Sequence, residues 1–252
     1  MYNIITMQSD SVGVILAAGL GKRMQSDLPK GLIDVGGQSV LERLSEVVQE
    51  ATGSTAIAVV GHKKEEIQKA LGDTLIYVEQ KEQLGTANAL LTAKMACAKA
   101  ERIIVFYGDH PFVSLETAKK LLEKSRETDA EITLASAVVP NFENENKIFL
   151  NFGRVVRSNG GIQKIVEYKD ADETEKNIKE INPGYYVFKS NWLWPHLEEV
   201  KNDNAQGEYY LTDLLGMAQK EGVQIKSIQI SPREAMGINS KEELEILEKF
   251  VA

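Results

Sequence analysis

Residues 11–24 read SVGVILAAGLGKRM, and the fold follows from how that run breaks. Residues 11–18 form a short apolar segment rich in Val and Ile, the pattern of a parallel strand buried on both faces. Gly19 and Gly21 interrupt it, and Lys22, Arg23 and Met24 follow. Glycines let backbone N–H groups wrap an anion, and Lys and Arg add charge-assisted bonds to phosphate. An ordinary strand-to-helix turn with solvated basic residues fits the same spacing. The loop is not a dinucleotide fingerprint, because Met24 holds the third glycine position of G-x-G-x-x-G. It is not a P-loop either, since G-x-x-x-x-G-K-[ST] is absent. Hydride transfer and P-loop ATP hydrolysis therefore lose support.

Outward from this run, strand-like and helix-like segments alternate. Residues 39–52 read as a helix with Leu41, Leu44 and Val48 on one face, and Ser39 with Glu42 forms a capping box. Strands are predicted at 55–61, 74–78, 102–107 and 131–138, and helices at 63–71, 86–98 and 115–127. Such repeats imply an α/β fold with a mainly parallel sheet and helices on both faces. Ligands of these sheets bind beyond the carboxyl ends of the strands. The 19–24 loop and the Gly108-Asp109 turn both fall there.

After Pro140 the pattern changes. Residues 141–151 read as a polar loop. Residues 152–157 and 161–168 flank Ser158-Asn159-Gly160, and Asn-Gly is a strong hairpin signal. Another strand spans 179–189, interrupted by Pro183-Gly184. Helices near 190–200 and 209–219, a strand near 224–230 and a last helix from Lys241, capped by Ser240 and Glu243, complete the chain. No linker composition divides it, so residues 1–252 are expected to form one domain with a β-rich second half.

The chain has 252 residues, is 43% hydrophobic and carries a formal charge of -8. Its pI of about 5.1 argues against nucleic acid as a partner. Phosphate binding then requires local positive charge, which directs attention to Lys22, Arg23 and Lys30. No run approaches the ~18 apolar residues of a membrane span, and the first ten residues do not make a signal peptide. A cytoplasmic location is expected. Cys97, the single cysteine, reads as a small core residue.

Three further motifs carry possible chemistry. Lys30 follows Pro29, within reach of the same phosphates, although a lysine after proline is also common as solvated surface. Asp109 closes Tyr107-Gly108-Asp109 at a strand end. A carboxylate there suits Mg²⁺, and a turn or helix cap is the plain alternative. Gln80 and Thr86 bracket QKEQLGT. A Gln amide can pair with a base edge, while Thr86 equally fits an N-cap. His110 invites a triad or zinc reading, but three histidines without a ligand-spaced cluster do not support it.

Taken together, LAAGLGKRM (16–24), Leu28-Pro29-Lys30, EQLGTA (82–87), YGD (107–109), VEYKDA (166–171), EINPG (180–184), NAQGEYYLTD (204–213) and GINS (237–240) resemble the sugar-1-phosphate nucleotidyltransferase family. Within it the chain is most similar to the uridylyltransferase domain of the bifunctional N-acetylglucosamine-1-phosphate uridylyltransferases. The resemblance runs from about Ser11 to the last helix. It implies a Rossmann-like nucleotidyltransferase fold with a mixed, mostly parallel twisted sheet. Residues of about 11–140 would bind nucleotide, and about 141–252 would bind sugar and close the fold. It implies transfer of a nucleotidyl group from a nucleoside triphosphate, UTP by this subtype, to a sugar 1-phosphate, with Mg²⁺ as cofactor. Leu16, Ala17, Ala18, Gly19, Gly21 and Arg23 would hold the triphosphate, with Lys30 neutralising charge at the reacting phosphates. Gln80 and Gly85 would read the uracil edge, with Thr86 beside them. Asp109 and Asn239 would hold Mg²⁺, and Tyr107, Gly108, Gly153, Glu167 and Asn182 would lie on the sugar phosphate side.

The residue inventory agrees with that chemistry. A sugar phosphate is largely dianionic at pH 7, with a second pKa near ~6, so its oxygen needs no general base. Family members of this subtype usually continue into a left-handed β-helix carrying acetyltransferase activity. With the sequence ending at Ala252, no such activity is expected of it. Departures from the family pattern concentrate on the sugar side. Pro183 replaces a Thr, Phe152 a Tyr, Ala87-Asn88 a Gly-His and Gly31 a larger apolar residue, and the 141–151 loop is long. Two other classes compete. One is a non-catalytic nucleotide-sugar sensor, and the other a glycosyltransferase, whose D-x-D is missing at Asp109-His110-Pro111. A dTTP-using transferase is the sister reading within the class. Oligomeric state leaves no signal in the sequence.

Overall fold

The computed structural model describes residues 10–19, 24 and 28–251. The first half contains β1 (Ser11–Leu16), α1 (Val40–Thr52), β2 (Ile57–Val60), α2 (Lys64–Leu71), β3 (Ile76–Glu79), α3 (Thr86–Thr92), β4 (Arg102–Tyr107), α4 (Leu115–Thr128) and β5 (Ile132–Val138). The second contains β6 (Gly153–Ser158), β7 (Gly161–Val166), α5 (Glu173–Lys176), β8 (Glu180–Asn182), β9 (Tyr186–Lys189), α6 (Ser190–Leu197), α7 (Asp213–Glu221), β10 (Ile225–Ile230) and α8 (Lys241–Glu248).

All ten strands join one mixed sheet in the order β3-β2-β1-β4-β9-β5-β8-β6-β7, with β10 pairing β5. The β3-β2-β1-β4 block is parallel, as is β10 with β5. β9 inserts antiparallel between β4 and β5, so a strand of the second half sits inside the sheet of the first. The apolar runs explain why both faces are covered. On β1, Val14 and Ile15 point to opposite cores, and β4 alternates Ile103 and Val105 with Ile104 and Phe106. Helices α1 and α4 cover one face, and α3, α6 and α7 the other. Among the described residues no helix is long and apolar enough to cross a membrane.

Local chemistry sets several element ends. Ser39 Oγ accepts from Glu42 N at 3.4 Å, capping α1. Asn159 and Gly160 take positive φ, 51° and 77°, as a two-residue hairpin turn of type I′ requires, and close β6 onto β7.

Three expectations are corrected. The helix read over 86–98 stops at Thr92. Beyond it, bonds such as Lys94 N to Leu91 O and Ala98 N to Met95 O tighten the chain into turns that bring it round to β4. The helix read over 209–219 begins instead at Asp213. Tyr209 and Leu211 use their backbone on Leu84, Ala87 and Thr86, which ties that stretch to the start of α3 instead of to a helix of its own. The stretch 141–151, read as a polar loop, contains a 3₁₀ turn that buries Ile148 and Phe149.

The closest packing on β1 lies at Gly13, where a Cβ would stand 2.1 Å from Val48 Cγ1 on α1. We expect Gly13→Ala to destabilise the fold by about 1–3 kcal/mol, measured as the shift of the urea midpoint. Combining it with Val48→Ala should cost less than the sum of the two single changes.

Candidate active site

A cavity of about 760 Å³ opens at the carboxyl ends of β1 to β4. The strand register makes it. Leu16 lies opposite Tyr107, and past the strand ends Ala17 N bonds Val59 O (2.8 Å), Gly108 N bonds Leu16 O (2.9 Å) and Gln80 N bonds Val60 O (2.8 Å). Residues far apart in sequence therefore share one rim. Leu16, Ala17, Ala18 and Gly19 line the cavity together with Gln80, Gly85 and Thr86, and with Tyr107, Gly108 and Asp109. Gly108 is required by contact, since a Cβ there would meet Ala17 Cβ at 2.8 Å. Gly21 and Arg23, expected at the triphosphate, lie outside the described residues, as does Lys22.

On the same rim, one ammonium joins three segments. Lys30 Nζ donates to Asp109 Oδ2 at 3.2 Å and to Asn239 Oδ1 at 2.7 Å. The side chains of Lys30 and Asp109 are 18% and 21% exposed, so the pair is shielded without being sealed from water. Asn239 is set by its backbone, with Ile238 N bonding Asp109 O at 2.9 Å and Asn239 N bonding Glu243 Oε2 at 2.6 Å. His110 is buried behind Asp109 and supports this loop. Its Nδ1 lies 2.8 Å from Tyr185 Oη, and a Cβ on Gly237 would meet its Nε2 at 2.8 Å. Because Tyr185 donates its own proton to Glu234 O, Nδ1 is the donor. Burial holds the imidazole below its ordinary pKa, so His110 packs as a neutral ring, and among the described residues it joins no group of three or more His, Cys, Asp or Glu that could hold a metal.

Asp109 Oδ2 and Asn239 Oδ1 both reach one cation, the lysine ammonium, so the two oxygens converge on a point that a cation can share. One carboxylate and one amide oxygen are a hard donor pair, which fits Mg²⁺ completed by waters and phosphate oxygens. Among the described residues no group of three or more His, Cys, Asp or Glu forms a denser metal site.

Further along the strand-end wall, after β3, Gln80 is buried and donates from Nε2 to Gly85 O (3.2 Å) and Asn88 Oδ1 (2.8 Å). Gly85 has φ of 117°, and a Cβ would meet Tyr209 O at 2.6 Å, so only glycine fits. Gly85, and not Thr86, occupies the cap position of α3. The Thr86 hydroxyl instead accepts from Leu211 N at 3.0 Å and is hydrogen-bonded to Tyr107.

The remaining wall comes from the second half. Glu167 lines the cavity with one hydrogen bond, from Thr212 Oγ1 at 3.0 Å. Burial pushes its carboxyl above the ordinary 4.5; Thr212 opposes this, and the charges of Asp170, Asp213 and Glu208 add to it. Gly153 and Asn182 are not lining residues. They sit behind Glu167, paired across β6 and β8. Asn182 bonds Tyr186 Oη (2.6 Å) and Gly184 N (3.1 Å). Gly184, at φ of 85°, lays its backbone on the Tyr107 ring, 2.3 Å from where a Cβ would be. Sequence reasoning assigned no roles to Tyr168, Lys169, Gln206 and Glu208, which also line the cavity. They fall inside VEYKDA and NAQGEYYLTD, so the motifs were visible, but nothing in their spacing shows that Lys169 bonds Gln206 across the opening.

Comparison with known proteins agrees with this geometry. The profile of the MobA-like NTP transferase domain matches residues 13–217. The chain is 39% identical over 241 residues to the bifunctional protein GlmU of Caldanaerobacter subterraneus, covering 95% of this chain and 51% of that protein. Against the GlmU of Bacillus subtilis it is 38% identical over 241 residues, 94% and 51% of the two chains. The chain thus spans about half the length of the curated relatives it matches. In fold it superposes on UDP-glucose pyrophosphorylase complexed with UDP-glucose, with a TM-score of 0.74, 18% identity and coverage of 95% and 98%.

Glu167 generates a pH prediction. Its native pKa is raised, so the native state binds the proton more tightly than the unfolded chain does. Stability therefore falls as pH rises from the ordinary 4.5 through the raised native value, and stays lowered above it. We expect Glu167→Gln to melt higher than the wild type at pH 8, by roughly 2–4 °C. The gap should shrink as calorimetric scans are taken down toward pH 4.5.

Proposed function

The chain belongs to the MobA-like NTP transferase family, and from that premise we propose that it joins UTP to a sugar 1-phosphate, releasing pyrophosphate and forming a UDP-sugar. The sugar we assign is N-acetylglucosamine, as the resemblance of the sequence to that uridylyltransferase subtype implies, which makes the product a cell-wall precursor made in the cytoplasm. The observation that carries the reading is the meeting of Lys30, Asp109 and Asn239 on the rim of a cavity with one wall of strand ends and one of second-half loops.

In this reading a phosphate oxygen of the sugar phosphate attacks the α-phosphorus of UTP. A new P–O bond forms, and the bond from the α-phosphorus to the bridging oxygen breaks, its electron pair leaving with pyrophosphate. The attacking oxygen is already deprotonated, since the second phosphate pKa is ~6. Alignment and charge neutralisation supply the catalysis. Lys30 brings positive charge to the reacting phosphates. Asp109 and Asn239 would hold Mg²⁺, which when bound stabilises the charge of the transferring and leaving phosphates. Gln80 and Gly85 face the base, and Glu167 accepts from sugar hydroxyls or amide.

Pyrophosphate release from Mg²⁺, UTP and a panel of sugar 1-phosphates tests this. We expect N-acetylglucosamine 1-phosphate to be the best substrate, release to stop on chelation, and Asp109→Ala to lower kcat/KM by about 10²–10³-fold. A dTTP preference would replace the uridylyl assignment. Binding of UDP-sugars without any pyrophosphate release would replace the enzyme with a sensor.

A further inference from the structure

Gln80 is a side chain whose polarity the fold fixes. An amide can present either its oxygen or its nitrogen to a ligand, and the two ends differ only in hydrogen-bond direction. Here the nitrogen is committed. Gly85 O can only accept, so the atom facing it at 3.2 Å must be Nε2. The same nitrogen faces Asn88 Oδ1 at 2.8 Å, the shorter of the two contacts. Both amide hydrogens are then used, and Oε1 is the polar end that remains for the cavity Gln80 lines. The Gln80 backbone is fixed as well, its N–H on Val60 O and its carbonyl taking Gln83 Nε2 at 3.2 Å.

An oxygen held this way accepts and cannot donate. Among pyrimidines, uracil and thymine place an N3–H donor at the centre of the pairing edge, whereas cytosine places an N3 lone pair there. Asn88 stands on the first turn of α3, at one of the positions where the sequence departs from the family pattern, and meets the cavity through Gln80 without lining it. We propose that Asn88 is a specificity-positioning residue: by taking one Nε2 hydrogen it locks the Gln80 amide with Oε1 toward the base, and so selects uracil over cytosine. The proposal rests on the uridine reading above. Without Asn88 the amide is held by the longer Gly85 contact alone. Turning the amide over to offer Nε2 to the cytosine N3 then costs one contact, to Gly85 O, where with Asn88 in place it costs two.

The test compares UTP with CTP on the wild type and on two variants. Asn88→Leu removes the acceptor at similar size, and Asn88→Asp keeps an acceptor oxygen. Calorimetric binding of each nucleotide with Mg²⁺ is read beside kcat and KM for each. We expect Asn88→Leu to lose about tenfold of the UTP-over-CTP preference, the worth of one hydrogen bond. The loss should appear in Kd and KM with kcat for UTP little changed. Asn88→Asp should retain the preference. A merely structural role for Asn88 would lower affinity for both nucleotides alike and leave their ratio unmoved. Should the leucine variant fail to fold, Asn88→Ala repeats the comparison. An unchanged ratio in the leucine or alanine variant, with a wild type that prefers UTP, overturns the proposal alone. A wild type that binds CTP as well as UTP overturns the uridine reading and the proposal together.

Discussion

The Lys30 ammonium binds two oxygens that lie 79 and 209 residues away in the sequence, and no local signal could bring them together. The sheet does it. Parallel pairing of β1 with β4 stops both strands at the same level, Leu16 beside Tyr107. The next residues, Ala17 and Gly108, must pass so closely that a Cβ on Gly108 would collide. Asp109 therefore emerges beside the β1 loop. The chain between β10 and α8 is then fastened to it by Ile238 N on Asp109 O. A charge cluster assembled this way is costly to desolvate unless each member is paired. Here each oxygen has a hydrogen-bonded cation, and the cation itself remains partly wet.

The two walls of the cavity are built by different means. The strand-end wall, proposed to take the base, is mostly backbone and short side chains, with Gly85 in a conformation only glycine tolerates. Its positions are set to within the precision of the sheet. The other wall, proposed to take the sugar, comes from segments around Glu167 and Gln206, which meet through side chains such as Lys169 with Gln206 and Asp170 with Ala205 N. Pro183 and Gly184 then press the β8–β9 turn onto Tyr107. The proline stiffens a turn that the Asn182 side chain already pins at Gly184 N. Of the departures from the family pattern, Pro183 and Phe152 fall in the second half, whereas Asn88 holds Gln80 and Gly31 lies beside Gly108 at the strand ends.

What the sequence revealed follows the same division. Apolar runs at 11–18 and 102–107 identified the buried strands because both faces of β1 and β4 are covered, and Asn159-Gly160 marked its hairpin because the turn demands positive φ at both positions. Insertion of β9 between β4 and β5 was not legible. The pairing of Ile103 with Phe188 is non-local, and periodicity carries no information about which strand a strand adjoins. Alanine is the best helix former, so 86–98 reads as one long helix, yet propensity is a weak prior and the packing of Ala93, Cys97 and Ala100 decides the path. In the site, Asp109 and Asn239 could be paired only through the family resemblance. Thr86 suited an N-cap by residue type, and the tertiary contact with Leu211 redirected its hydroxyl.

Charge is the remaining constraint. The chain carries a formal -8 and must admit two phosphorylated ligands if the proposed reaction holds. The described lining offers Lys30 and Lys169 against Asp109, Glu167 and Glu208, so the cavity does not attract a polyanion by its average field. A nucleotide arriving with its metal has much of its charge already compensated and meets Asp109 and Asn239 as ligands in place of a repelling carboxylate. Under the proposed reaction Glu167 and Glu208 would meet sugar hydroxyl and amide donors, for which carboxylate acceptors are suited. Acidic composition and phosphate chemistry are therefore compatible here because each part of the lining carries both signs, Lys30 with Asp109 on the strand-end rim and Lys169 with Glu167 and Glu208 on the second-half loops.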